Sequence, residues 1–285
     1  MIHLDEKFED LQIEMVEIAI GCSEACKKCG AYPNFLKENL VIRQLTREQV
    51  MENLEEYSDH LAPYMTTYVN VEPRRIDVFA DYAELVYEKT NGGSQVLDIS
   101  HGVRRGSKKM MKRLESRIIP LFNDGVIPLS VLSFDRDRSQ GQIDYDLNVD
   151  SYAETLEIMK QVMRDVRVTL SMQAENADEM VLIEEMRQDL MQRLAWSDED
   201  ASFLNIDRRV GYTAAGRSAG LIESVDCPVI PDAGFLEMVK DHWPRTHKWR
   251  GLIDMYGDLY VQPNVPDRTY GDSLKMRDEE VCIKL

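Results

Sequence analysis

Cys22, Cys26 and Cys29 fall within eight residues in the spacing C-x3-C-x2-C. Three thiolates on one short loop can hold three irons of a [4Fe–4S] cluster. A cluster with four cysteine ligands is closed and suits electron transfer. One with three leaves an iron free for a substrate or cofactor, as a catalytic zinc keeps an open position. Zinc would want a fourth ligand close by, yet the next histidine is His60 and the next cysteine is Cys227. A zinc knuckle and three unrelated thiols remain the alternatives to a cluster.

The elements that must position this loop alternate along the chain. Leu11 to Ile20 reads as a strand that runs straight into the cysteines. Thr46 with Gln49 forms a capping box ahead of Val50, Leu54, Tyr57 and Leu61 on one helical face. Strands are expected over Thr66 to Val71, Ser94 to Ser100, Ile127 to Phe134, Val166 to Gln173, and within 204–215. Helices are expected from Asp77, over Ser107 to Phe122, from a capping box of Ser151 with Glu154, and from another of Asn176 with Glu179. Six alternations with short turns predict a parallel sheet with crossover helices. Eight units would close a full barrel, so six predict an α/β fold with an open, partial (β/α)6 TIM-like barrel over residues 1–218. Five prolines break the rhythm in residues 219–285. That extension is expected to be irregular, with a hairpin pairing Gly251 to Met255 with Leu259 to Gln262.

Composition narrows the function classes. The chain has 285 residues, 44% hydrophobic and 30% charged, as in soluble globular proteins. A net charge of -17 repels phosphates and disfavours a nucleic-acid partner. The acidic N-terminus does not read as a signal peptide, and no apolar run approaches the ~20 residues of a membrane helix. Five cysteines, three of them clustered, argue for metal chemistry in a reducing, cytoplasmic compartment rather than a disulfide framework.

The cysteine run after a first strand resembles the signature of the radical S-adenosylmethionine (radical SAM) enzymes. The likeness covers about residues 11–218 by element order. Lys28 stands where that family usually has an aromatic residue. The resemblance implies a [4Fe–4S] cluster on Cys22, Cys26 and Cys29 that binds S-adenosylmethionine (SAM) at its open iron. It implies reductive cleavage of SAM and hydrogen abstraction from a substrate. Ligands in parallel β/α folds sit at the C-terminal ends of strands. There the resemblance places Glu72 at the methionine amino group and Ser100 at the cofactor, while the adjoining His101 could bind the cofactor, move a proton or cap a turn. Ser133 and Asp135 resemble its ribose-binding pair, and Gln173 and Glu175 end the fifth expected strand. Arg209 and Arg217 could hold a carboxylate or form structural ion pairs.

Trp249 to Gln262 resembles the hairpin of the SPASM extension of peptide-modifying radical SAM enzymes, without its cluster cysteines. It tilts the expected substrate toward a peptide or protein side chain, with Trp249, Tyr256 and Tyr260 packing the hairpin and the extension closing the barrel mouth. Only 21 residues precede Cys22, too few for a leader-peptide domain, which keeps a small metabolite as the alternative. Cys227 and Cys282 are expected to be reduced, structural thiols, so one cluster is expected. Seven cations crowd between Arg104 and Arg117. The first reading of that run is a solvated face. The sharper one is a dock for an acidic electron donor such as a flavodoxin or ferredoxin. Outside the enzyme class stand a structural metal protein and an electron-transfer module on the same fold.

Overall fold

The capping box at Thr46 forms as its spacing predicts. The Thr46 hydroxyl accepts from Gln49 N, and Gln49 Oε1 accepts from Thr46 N at 2.9 Å, opening α1 (Arg47–Glu56). The computed structural model describes residues 10–21, 41–67, 73–100, 108–134, 145–174, 180–210, 247–264 and 283–284. Its first strand, β1 (Leu11–Val16), is followed by the short β2 (Ala19–Ile20) and β3 (Arg43–Gln44), which pair antiparallel with each other. Then come β4 (Leu61–Thr67), β5 (Gln95–Val96), β6 (Asp98–Ser100), β7 (Leu129–Phe134), β8 (Arg167–Ala174) and β9 (Leu204–Val210). Last are β10 (Trp249–Ile253), β11 (Leu259–Pro263) and β12 (Ile283–Lys284).

β1, β4 and β5 run parallel in that order, as do β6, β7, β8 and β9. β5 and β6 are one strand interrupted at Leu97, whose N–H still donates to Met65 O of β4 at 2.8 Å. The chain therefore carries six consecutive parallel strands with helical crossovers, the expected partial-barrel order. The crossovers are α1, α2 (Phe79–Lys89), the α3–α4 segment, α5 (Tyr145–Met159) and α6 (Met180–Leu194) with α7 (Asp198–Ser202). α3 (Lys108–Arg113) and α4 (Ile119–Asn123) form one helix joined by a π turn over Leu114–Ile118. Pro120 explains it, since its ring crowds the preceding turn and it has no N–H to complete the ladder.

Strand alternation sorts the core. Leu132, Phe134, Val168, Leu170 and Met172 join Tyr152, Leu156, Met159, Ile183 and Leu190 in the main cluster, under the helices. Leu97, Leu129 and Val131 form a second cluster on the opposite face, with Tyr64 and Ile99. Polar residues follow on that face, because Val131 is in register with Thr169, and Ser133 with Ser171.

Several expectations need correction. Ser151 does not cap a helix. α5 begins six residues earlier, and Ser151 is buried inside it with its carbonyl accepting from Thr155 Oγ1. Val149 extends the apolar face upstream, and tertiary packing outweighs a local cap signal. Leu61 is not the last residue of a helical face but the first of β4, five residues ahead of the expected strand start. Opposite the Pro63 region the ladder to β1 slips, from Ile13↔Leu61 to Met15↔Thr66, as expected where a residue lacks its donor.

The hairpin forms where expected, with Gly251 opposite Val261. Its first strand, however, lies parallel against β1, so the hairpin extends the core sheet. Gly251 permits this close approach, because a Cβ there would meet Ile13 Cγ1 at 2.9 Å. Tyr260 is buried and Trp249 packs on the core, but Tyr256 stands 76% exposed at the turn instead of packing the hairpin as expected.

Candidate functional site

The two described residues that flank the segment with the three cysteines, Gly21 and Val41, meet at one place. Gly21 lies directly before Cys22 and adopts φ +97°. An added Cβ there would meet Val41 O at 2.1 Å, so residues 21 and 41 are in backbone contact. Behind them, Ala19↔Gln44 and Ile20↔Arg43 form a two-rung ladder, continued where Leu45 N donates to Ile18 O at 2.9 Å. The ends of segment 22–40 are thus tied together just beyond the C-terminal end of β1. Glu17, fully buried, holds the same region to the hairpin: its N–H donates to Ile253 O at 2.8 Å, and its carboxylate accepts from Met255 N.

Ser133 lies near the end of β7, partly exposed, on the face opposite Leu132 and Phe134. It is in register with Ser171 of β8, which is in register with Asp207 of β9. Its backbone carbonyl accepts a short hydrogen bond from the Tyr152 phenol, whose ring lies 4.3 Å from that of Phe134. Ser100 ends β6, fully buried and in register with Leu132. By strand alternation it shares a face with Asp98 under the helices, so Ser100 and Ser133 are on opposite faces of the sheet. Gln173 is paired in register with Arg209, one step beyond the Ser133–Ser171 row. Cys22, Cys26, Cys29, Glu72, His101, Asp135, Glu175, Arg217, Cys227 and Cys282 lie outside the described residues. Among the described residues no three His, Cys, Asp or Glu side chains converge as a metal site.

Two buried polar groups were not foreseen. Arg74, in the turn Pro73–Arg75, is 1% exposed and donates from Nε and Nη2 to Asp98 at 3.1 and 2.6 Å. The Ser130 hydroxyl joins them, accepting from Arg74 Nη2 at 2.8 Å and donating to Asp98 at 2.7 Å. The signal was available: an aspartate in the apolar run Leu97-Asp98-Ile99 needs a buried partner. Likewise the His247 ring Nε2 lies 3.1 Å from Glu14 Oε1, both residues buried, tying the approach to β10 onto β1.

The basic helix is partly neutralised. Lys109 and Arg113 pair with Asp77, and Arg117 pairs with Asp81 at 3.0 Å. A groove of about 660 Å³ runs beside it on the helix layer, floored by Met111, Ala153 and Ile158.

No family model matches the chain, and no curated protein matches it. The fold resembles that of two solved structures. BtrN, solved in complex with AdoMet and 2-DOIA, is 10% identical with a TM-score of 0.40, over 93% of this chain and 75% of that one. HydG, a maturase of the [FeFe]-hydrogenase, is 16% identical with a TM-score of 0.42, over 70% of this chain and 44% of that one. Among the described residues no helix is long and apolar enough to cross a membrane.

Proposed function

We propose that this chain is a radical SAM enzyme whose cluster is held by Cys22, Cys26 and Cys29. The observation that carries the reading is the tied base of segment 22–40 at the C-terminal end of β1, where ligands gather in parallel β/α folds. A thiolate set of three suits a [4Fe–4S] cluster with one open iron, and the contact of Gly21 with Val41 gathers the ends of the loop that bears it. The bound cluster would chelate SAM and supply the electron that cleaves it, giving the oxidant that takes hydrogen from a substrate.

The chain's own part is to bind and orient. Glu72 would accept from the methionine amino group, and Ser133, with Asp135 two residues further on, would bind the ribose. In support of this role, Ser133 is partly exposed near a strand end and its backbone carbonyl accepts from Tyr152. His101 would contribute from just beyond the end of β6, and Gln173 from β8; Ser100, buried under the helices, would not reach the cofactor. The substrate we propose is a peptide or protein side chain, on the likeness of the hairpin. The reductant would be an acidic donor meeting the exposed Lys108 and Lys112, since Lys109, Arg113 and Arg117 already face acidic partners.

SAM calorimetry on the reconstituted protein tests the pocket. Glu72→Ala should weaken binding by about 1.5–3 kcal/mol, the worth of one charge-assisted hydrogen bond, and Ser133→Ala by about 0.5–1.5 kcal/mol, the worth of a neutral one, both with iron content unchanged. Unaltered affinity in both variants would remove Glu72 and Ser133 from the pocket.

A further inference from the structure

We infer that Arg74, Asp98 and Ser130 are positioning residues, which pin the outlet of β4 against β6 and β7 and so place Glu72, the residue peptide-bonded to Pro73. What Glu72 binds rests on the radical SAM reading above. The pinning itself rests on the described geometry.

The pin reaches across the sheet. The Pro73–Arg75 turn follows β4, whereas Asp98 lies on β6 and Ser130 on β7. Asp98 and Ser130 are in register, so their side chains present one joined acceptor face to the guanidinium. Arg74 Nε and Nη2 both meet Asp98, and Nη2 also meets Ser130 Oγ at 2.8 Å and Met159 Sδ at 3.1 Å. The turn's backbone is held as well: Arg74 O accepts from Arg113 Nη1 at 2.9 Å, and Ile76 N donates to Pro73 O at 3.1 Å. Side chain and main chain of one residue are thus fixed to two strands and two helices.

Stability alone does not call for such a group. Apolar side chains of similar volume often replace a buried ion pair without loss, so the pair is weak evidence for a stabilising role. What an arginine fork gives is direction, because two parallel donors fix the angle as well as the distance. A lysine supplies the charge and not the angle. The direction matters at a strand outlet. Glu72 precedes the pinned turn, His101 lies three residues beyond Asp98, and Ser133 lies three beyond Ser130. One fork therefore sets the relative placement of the three segments that carry the proposed cofactor contacts.

The test uses the full chain with Asp98→Asn, Arg74→Lys and the apolar pair Arg74→Met/Asp98→Leu. Hydrogen exchange of the peptide over residues 73–79 is followed in cluster-free protein, and SAM affinity by calorimetry after reconstitution. In all three variants we expect exchange in that peptide to quicken about tenfold, and SAM affinity to fall about tenfold at unchanged iron content. The apolar pair should keep the wild-type thermal midpoint, which separates positioning from stability. Exchange that stays at the wild-type rate overturns the pin. SAM affinity that holds in all three variants while wild type binds SAM overturns its positioning role. Faster exchange in variants of a protein that binds no SAM supports the pin and overturns the cofactor reading instead.

Discussion

Replacing Gly21 by alanine strikes the base of the cysteine loop at one atom. At φ +97° an L side chain is strained, by about 1–3 kcal/mol. The new Cβ would also meet Val41 O at 2.1 Å and Val41 C at 2.9 Å. Both are backbone atoms, so no rotamer change relieves the clash. The β2–β3 ladder must open instead, and each hydrogen bond lost is worth about 0.5–1.5 kcal/mol. Strain and one lost hydrogen bond together give about 1.5–4.5 kcal/mol. Gly125 is the control: its φ is +69°, and a Cβ there meets nothing within 4 Å. Gly125→Ala should therefore show only the left-handed penalty of about 1–2 kcal/mol. Urea denaturation of both variants measures the difference, and iron retained after anaerobic reconstitution reports on the loop. Gly21→Ala should lose more stability than Gly125→Ala and retain less iron. If Gly21→Ala matches the control in stability and wild type in iron, the contact of residues 21 and 41 is not what gathers the loop.

The Glu14–His247 pair predicts that His247→Ala, which leaves a buried carboxylate short of one partner, loses about 1–3 kcal/mol in urea; a loss inside experimental error would mean the hairpin is not tied to β1 there. Burial, with the carboxylates of Glu56, Asp258 and Asp254 adding, pushes the Tyr57 phenol up to about 12, and burial raises Tyr82 further still. Since the folded value lies above the ordinary 10.0, the neutral Tyr57 contributes fully below pH 10 and its contribution is lost as pH rises to about 12. Tyrosinate absorbance of Tyr57→Phe should lack a step near pH 12 and keep the wild-type curve near pH 10; loss of the step near 10 would contradict the burial.

Local signals were legible in the chain and non-local ones were not. Thr46 with Gln49, the β-rich runs other than Thr66 to Val71, and the turn between Ile253 and Leu259 are each written within a few residues, and each forms. The docking of β10 on β1 joins Gly251 to Ile13, and no periodicity connects segments so far apart. The same holds for Arg74 and Asp98, where the aspartate announced a need for a partner but not which one. At Ser151 a real cap sequence lost to the apolar face of Val149, Tyr152 and Leu156, and at Leu61 a helical face ran on only in pattern. Of the candidate site, Ser133 stands near the end of its strand as expected, while Ser100 turns under the helices.

The central claim is that Cys22, Cys26 and Cys29 hold one cluster that cleaves SAM. Anaerobic reconstitution, followed by iron determination and assay of 5′-deoxyadenosine with SAM and a strong reductant, tests it most directly. The account predicts about four irons per chain, SAM-dependent 5′-deoxyadenosine, and loss of both when any one of the three cysteines becomes alanine. Bound zinc in place of iron, or a single-cysteine variant that still forms 5′-deoxyadenosine, would contradict it.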